Sequence, residues 1–239
     1  MNDFEQPLVT GRIRNGVTKA WYPYVMRVLT KNDMPKALEL YDYVVANMEN
    51  PDMLWRYPDE TVASFFGQDG IVMGIFVEQK LVAFRVMYFH HIGDPSNPLQ
   101  GNITFDYGIT AHLALCVINP VFRGNSMQKH MGVYLMKVAE ATRTFHTMCS
   151  IVSPHNYPSI SDKISLDMLV VKLMPKFKGI WRYIFYRNMS KPVMAVEEEL
   201  IFAASQDYPR QIELLNSGYY GVRLGTDQGE LGMLYKKHQ

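Results

Sequence analysis

Leu115-Cys116-Val117-Ile118-Asn119-Pro120-Val121-Phe122-Arg123-Gly124-Asn125-Ser126-Met127-Gln128 is the stretch on which the reading of this 239-residue chain turns. Ile109 to Ile118 is rich in β-forming residues, and Asn119-Pro120 breaks the run. Gly124 to Thr144 then places Met127, Met131, Tyr134, Leu135, Val138 and Ala139 at helical spacing. A strand that turns abruptly into a helix is predicted. Such a junction aims unpaired amide N–H groups and the positive end of the helix dipole at one point in space, and that point attracts phosphate. Gly124 lets the backbone approach an anion closely, while Asn125, Ser126 and Gln128 are small or polar enough not to block it. The plain alternative is an ordinary strand-to-helix turn with a chance Arg-Gly pair.

Upstream, Tyr24 to Thr30 is a short strand, preceded by the aromatic cluster Trp21-Tyr22-Pro23-Tyr24, which anchors an N-terminal arm of residues 1–23. Asp33 and Pro35 mark a helix start, and Ala37, Leu38, Tyr41, Val44, Val45 and Met48 form one apolar stripe that ends before Asn50-Pro51. A shorter helix spans Asp59 to Phe66. Gly70 to Glu78 and Leu81 to Phe89 form an antiparallel hairpin joined by Gln79-Lys80. His90 to Gly108, with its prolines, glycines and weak periodicity, is a long surface loop of the kind often kept for binding.

Downstream, Thr147 to Val152 is a fifth strand, and Pro154 to Ser159 opens a helix running to about Asp167. Leu169 to Met174 and Ile180 to Met189 are strands around the turn Pro175 to Gly179. A core of residues 24–190 is then complete. Residues 191–239 hold a strand from Val196 to Ala203, a helix from Asp207-Tyr208-Pro209 to Gly218 and a hairpin around Gly225 to Gly229. They are too few to bury a large core alone and form an extension packed on the first.

Composition removes several classes. With 48% apolar and 20% charged residues, the chain folds rather than staying disordered. Lys plus Arg 24 against Asp plus Glu 23 leaves a net charge of +1, with no global field to draw nucleic acid or an anionic membrane. No apolar run approaches the roughly 18 residues of a membrane span, and the first residues carry no signal-peptide h-region. The expectation is a cytoplasmic protein. Cys116 and Cys149 build neither a disulfide framework nor a four-ligand zinc site, and His90-His91 point to opposite faces of a strand with no third ligand at a metal spacing, so no metal is expected. Glu197-Glu198-Glu199 reads as a solvated strand edge.

The central stretch resembles the GNAT superfamily of N-acetyltransferases, whose strand-loop-helix motif reads aliphatic-x-Val-x-Pro-x-aromatic-Arg-Gly and continues into Arg-x-x-Gly-x-Gly/Ala. Cys116, Ile118, Pro120, Phe122, Arg123 and Gly124 follow that pattern in order; Ser126 and Gln128 replace the later glycines. The resemblance extends over the order of elements from about Tyr24 to Met189. It implies an α/β (α+β) fold: a mixed, mostly antiparallel central sheet with splayed fourth and fifth strands and helices on both faces, here with a small C-terminal α/β extension. It also implies acetyl-CoA, or another acyl-CoA, as co-substrate, with Arg123, Gly124, Asn125, Ser126, Met127 and Gln128 as the pyrophosphate cradle and the main chain of Cys116 to Ile118 as the edge to which the pantetheine adds.

Many family members carry a glutamate general base where this chain has His112, on the same strand face as Ala114, Cys116 and Ile118. A histidine can do that work near neutral pH; alternatively His112 is a buried histidine hydrogen-bonded to a neighbouring strand or loop. Asn156 and Ser159 match a second element that lies near the pantetheine arm in the family. Lys163 stands where the family has a tyrosine that protonates the departing thiolate, so either another group such as Tyr157 supplies the acid or the thiolate leaves unaided. Asp106 and Tyr107 either touch the substrate amine or are a solvated acid and a packed tyrosine. The implied activity is transfer of an acyl group, most simply acetyl, to a primary amine of a small molecule or protein by direct attack in a ternary complex. The rival is a catalytically impaired CoA-binding regulatory or interaction protein on the same scaffold. The extension covers the acceptor side or contributes to a homodimer interface.

Overall fold

The central strand forms as β5, Thr110–Ile118, and its two ends belong to different compact units of the chain. The structure, a computed structural model, describes residues 8–101, 108–190 and 199–237. One unit combines residues up to 89 with 113–144; the other combines 90–112 with 145 onward.

In the first unit, β1 (Val9–Arg14), β2 (Trp21–Val28), β3 (Gly70–Val77), β4 (Lys80–His90, as far as Phe89) and the second part of β5 lie in that order, and β1 to β4 pair antiparallel. β3 and β4 are buried along nearly their whole length, as strands are when both sheet faces are covered. α1 (Met34–Ala46) and α2 (Asp59–Phe65) cover one face: Ala37, Leu40, Tyr41, Val44, Val62 and Phe65 pack with Val72, Phe84, Val86, Leu115 and Val117. α1 is held at its start by Asp33, whose carboxylate accepts two bonds from Arg27, each 2.7 Å, and one from the Thr30 amide at 2.9 Å. Strand alternation sends Arg85 to the other face, where α3 (Met127–Thr142) lies. Helices therefore cover both faces of this sheet.

The first unit differs from the sequence reading in its first strand and in its hairpin turn. The first core strand begins at Trp21 rather than Tyr24 and pairs with β1, whose only buried residue is Ile13. A segment with so little apolar pattern becomes a strand through its partner's exposed edge. The hairpin turns at Glu78-Gln79, not Gln79-Lys80: both residues have positive φ, 48° and 65°, as a two-residue type I′ turn requires, and Val77 opposes Lys80. A bulge between Ile75 and Phe76 leaves Val82 over, and its carbonyl accepts the Asn119 N–H at 2.9 Å, at the end of β5.

The second unit orders its strands as the first part of β5, β6 (Thr147–Val152), β8 (Ile180–Asn188), β7 (Leu169–Lys176), β10 (Tyr219–Asp227), β11 (Glu230–Lys237) and β9 (Ile201–Ala204). β5 and β6 are parallel over three pairs, Thr110↔Thr147 to His112↔Cys149, and the remaining pairings are antiparallel. α4 (Tyr157–Ile164) ends short of Asp167, which leaves the helix with φ 58°. α5 (Tyr208–Asn216) carries the buried Gln211, whose Oε1 accepts from the Tyr183 hydroxyl at 2.5 Å and the Tyr235 hydroxyl at 2.8 Å. That network ties β8, α5 and β11 together, so residues beyond 199 extend the sheet of this unit. No helix among the described residues is long and apolar enough to cross a membrane.

Candidate functional site

At the end of β5 the chain makes a single 3-10 turn, Pro120–Phe122, capped by the Asn119 side chain, which accepts from the Val121 amide at 3.1 Å. Phe122 is buried and anchors the turn; Arg123 and Gly124 are exposed. Gly124 has φ 82° and Ser126 φ 56°, two left-handed residues flanking Asn125, and α3 begins only at Met127. Where left-handed residues turn successive amides toward one side, they make the kind of concavity that takes an anion. Among the described residues no main-chain N–H from Gly124 to Lys129 donates to a protein acceptor. A Cβ built on Gly124 meets nothing within 4 Å, so the space beside that residue is open.

The concavity is braced from two directions. Asn125 accepts from the Arg14 amide at 3.0 Å and donates to the carbonyls of Arg14 at 2.8 Å and Phe122 at 2.9 Å, pinning the loop to the end of β1. Its side chain is thus spent on structure, and its contribution to an anion is its backbone. Beneath the first turn of α3, Arg85 is 1% exposed and donates from Nη1 to the Gln128 carbonyl at 2.6 Å. Gly132 makes room for it: a Cβ there would lie 2.7 Å from Nη1. Along β5, Leu115 and Val117 are buried while Cys116 and Ile118 are half-buried, the alternation expected of a strand with one face in the core. Neither Cys116 nor Cys149 is in a disulfide.

A second cluster lies in the other unit. His112 is 6% exposed, and its Nδ1 lies 3.3 Å from Nε2 of His90. The two rings are 5.4 Å apart, centroid to centroid. His90 Nδ1 is 2.7 Å from Asp94 Oδ2, and Asp94 Oδ1 accepts from the Ser96 hydroxyl at 2.7 Å and the Ser96 amide at 2.8 Å. Burial, then the proximity of His90 and Lys163, holds the His112 pKa well below the ordinary histidine value. Burial also lowers His90, against the pull of Asp94. For Asp94 burial alone would raise the carboxyl, but Ser96 and His90 outweigh it and hold it below its ordinary value. Burial pushes the thiol of Cys149, the register partner of His112, well up.

The remaining sequence candidates separate. Asn156 caps α4, accepting from the Ser159 amide at 3.1 Å, so this pair is joined by a helix cap. Tyr157 opens that helix and is half-buried. Lys163 is buried in an ion pair with Asp162 at 2.8 Å. Asp106 and Tyr107 lie outside the described residues, as do Glu197 and Glu198. Three participants escaped the sequence reading. Asp94 sits in the long loop read as one kept for binding, without being singled out there; Arg85 reads only as part of a strand; Tyr208, whose hydroxyl is 3.0 Å from His155 Nε2, comes from the extension. The one available signal was a charged Arg85 inside an apolar strand run. Among the described residues no three His, Cys, Asp or Glu side chains are arranged to hold a metal ion.

No family model and no curated protein sequence matches the chain. Solved structures do. NAA60 of Arabidopsis thaliana, crystallised with acetyl-CoA, aligns with TM-score 0.57 at 13% identity over 70% of this chain and 99% of its own. A GNAT-family acetyltransferase from Streptococcus pneumoniae aligns with TM-score 0.52 at 11% identity over 69% of this chain and 98% of its own. The ribosomal-protein-S18-alanine N-acetyltransferase of Escherichia coli aligns with TM-score 0.50 at 16% identity over 74% and 99%. This chain has the GNAT fold. Almost the full length of each of these GNAT structures is matched, and the rest of this chain is an addition to what they contain. Counted from β2, the fourth and fifth strands are β5 and β6, which pair in parallel from Thr110↔Thr147 to His112↔Cys149.

Proposed function

We propose that the protein is an acyl-CoA-dependent N-acyltransferase that transfers acetyl to a primary amine of a small molecule or protein. One observation carries this reading: in a GNAT fold, the β5–α3 junction presents a run of unpartnered amides, from Gly124 to Lys129, around two left-handed residues. A diphosphate is the ligand that such a concavity takes, since the helix dipole and the N–H groups act on the same anion. The main chain of Cys116 to Ile118 then offers strand-type hydrogen bonds to the pantetheine arm, independent of the side chains there. Further back on the same strand, His112 is neutral and takes the proton that the amine loses as its nitrogen bonds to the thioester carbonyl carbon and the C–S bond breaks. Holding both reactants together supplies the larger part of the rate.

A second reading, a CoA-binding protein without turnover, draws support from Lys163, which is ion-paired to Asp162 at the position where the resemblance puts a thiolate-protonating tyrosine. The test is thiol release from acetyl-CoA with a panel of small amines and N-terminal peptides, alongside calorimetric binding of CoA. Binding with release supports transfer; binding without release supports the second reading; no binding refutes both. Gly124→Ala is the matched control. Its Cβ meets nothing, so only the φ of 82° is strained, by about 1 kcal/mol, and relaxation of the loop should weaken CoA binding roughly fivefold with little change in melting temperature.

A further inference from the structure

Neutral histidine has one donor and one acceptor nitrogen, so a chain of two histidines is directional once one end is set. Here the end is Asp94. Its carboxylate is held in the ionised form, with Oδ1 taken by the Ser96 amide and hydroxyl, so Oδ2 accepts at 2.7 Å and His90 Nδ1 donates. His90 Nε2 therefore carries a lone pair, His112 Nδ1 donates to it across 3.3 Å, and the lone pair of His112 falls on Nε2. We propose that His90 and Asp94 are positioning residues which fix His112 with Nε2 as its basic atom and which receive the charge when that atom takes a proton. The proposal rests on His112 being the base of the acyltransferase.

The relay answers a physical difficulty. A buried His112 resists becoming an imidazolium, and the nearby ammonium of Lys163 adds to that resistance even though Asp162 pairs with it. Among the described residues, the groups around His112 include His90 on β4, Lys163 and Asp162 on α4 and the un-ionised thiol of Cys149 on β6. Around His90 they are Asp94, Ser96 and His91. Asp94 is the carboxylate bonded to the histidine pair, through His90 Nδ1 at 2.7 Å. When His112 Nε2 takes the amine's proton, its Nδ1 proton passes to His90 Nε2. The positive charge then rests on His90, bonded to the carboxylate of Asp94. One proton enters the pair, none leaves it, and His112 reverts to a neutral ring.

The test uses the full chain in two parts. Long-range 1H–15N spectra of the histidine rings, recorded without substrate, should show His112 as the single Nδ1–H tautomer, and Asp94→Ala and His90→Phe should each populate both tautomers. Kinetics with whichever amine supports turnover should show kcat at least tenfold lower in both variants, the acidic limb of the kcat–pH profile moved to lower pH, and KM for acetyl-CoA unchanged. Turnover with an unmoved profile in both variants overturns the relay and leaves the acyltransferase standing. Absence of turnover with every amine overturns the acyltransferase, and the spectra then decide the positioning alone: mixed tautomers in the unaltered protein refute it. Asp94 is partly exposed, so its variant tests the proposal if His90→Phe does not fold.

Discussion

Gly132→Ala puts the bracing of α3 to a direct test. The new methyl would lie 2.7 Å from Arg85 Nη1 and 3.2 Å from Cζ, so the guanidinium must retreat by about 0.8 Å to reach ordinary contact. Arg85 has nowhere wet to go, being 1% exposed, and its retreat stretches the 2.6 Å bond to the Gln128 carbonyl. A charge-assisted hydrogen bond is worth about 1.5–3 kcal/mol, against which alanine in place of glycine in a helix interior returns about 1 kcal/mol. The net loss is about 0.5–2 kcal/mol. At roughly 2–4 °C per kcal/mol for a chain of this size, the melting temperature should fall by about 1–8 °C. The decisive measurement is a double-mutant cycle with Arg85→Met, followed by circular dichroism. With methionine at 85 the bond and the crowding are both gone, and Gly132→Ala should become stabilising by about 1 kcal/mol, a coupling of about 1.5–3 kcal/mol. A coupling below about 0.5 kcal/mol would show that Arg85 yields freely and does not hold the first turn of α3.

Asn125→Ala removes three hydrogen bonds that join the concavity to Arg14 and Phe122 and should cost about 1–2 kcal/mol in thermal unfolding; Asn125→Asp, which keeps only the accepted bond, should fall between the two, and equal stability of all three proteins would refute the strap. Acid should weaken the fold through His112. Its folded pKa lies well below 6.5, so the unfolded chain binds a proton that the folded chain refuses; the stabilisation is complete above about pH 6.5 and is lost progressively as pH falls toward the folded pKa. Melting temperatures between pH 7.5 and 5 should therefore decline less steeply in His112→Gln, and parallel slopes would show that His112 is not held neutral.

The helices and the central junction were legible because each is decided within a few residues. Ala37, Tyr41 and Val44 recur on one helical face, and that face is buried. Thr147–Val152 stands as a strand with the bounds its composition implies. Asn119-Pro120 and Gly124 stop one element and free the backbone before the next, so the bend between β5 and α3 follows from local sterics alone. The hairpin turn lies one residue earlier than the sequence suggests because nothing local marks Glu78 for a positive φ, and the bulge at Ile75/Phe76 has no local signature either, being set by the pairing across two strands.

What the sequence determined by itself was the alternation of elements and the presence of a sharp bend between β5 and α3, since φ preferences and apolar periodicity act over one or two turns. Tertiary structure alone decided that residues 9–14 become a strand, that Arg85 lies under Gln128, and that Asp94, His90 and His112 line up in one chain of hydrogen bonds. Those contacts join residues up to 43 positions apart, and no local preference encodes them. They exist because folding removes water from both partners at once, leaving each buried polar group to be satisfied by whichever group the packing brings within 3 Å or so.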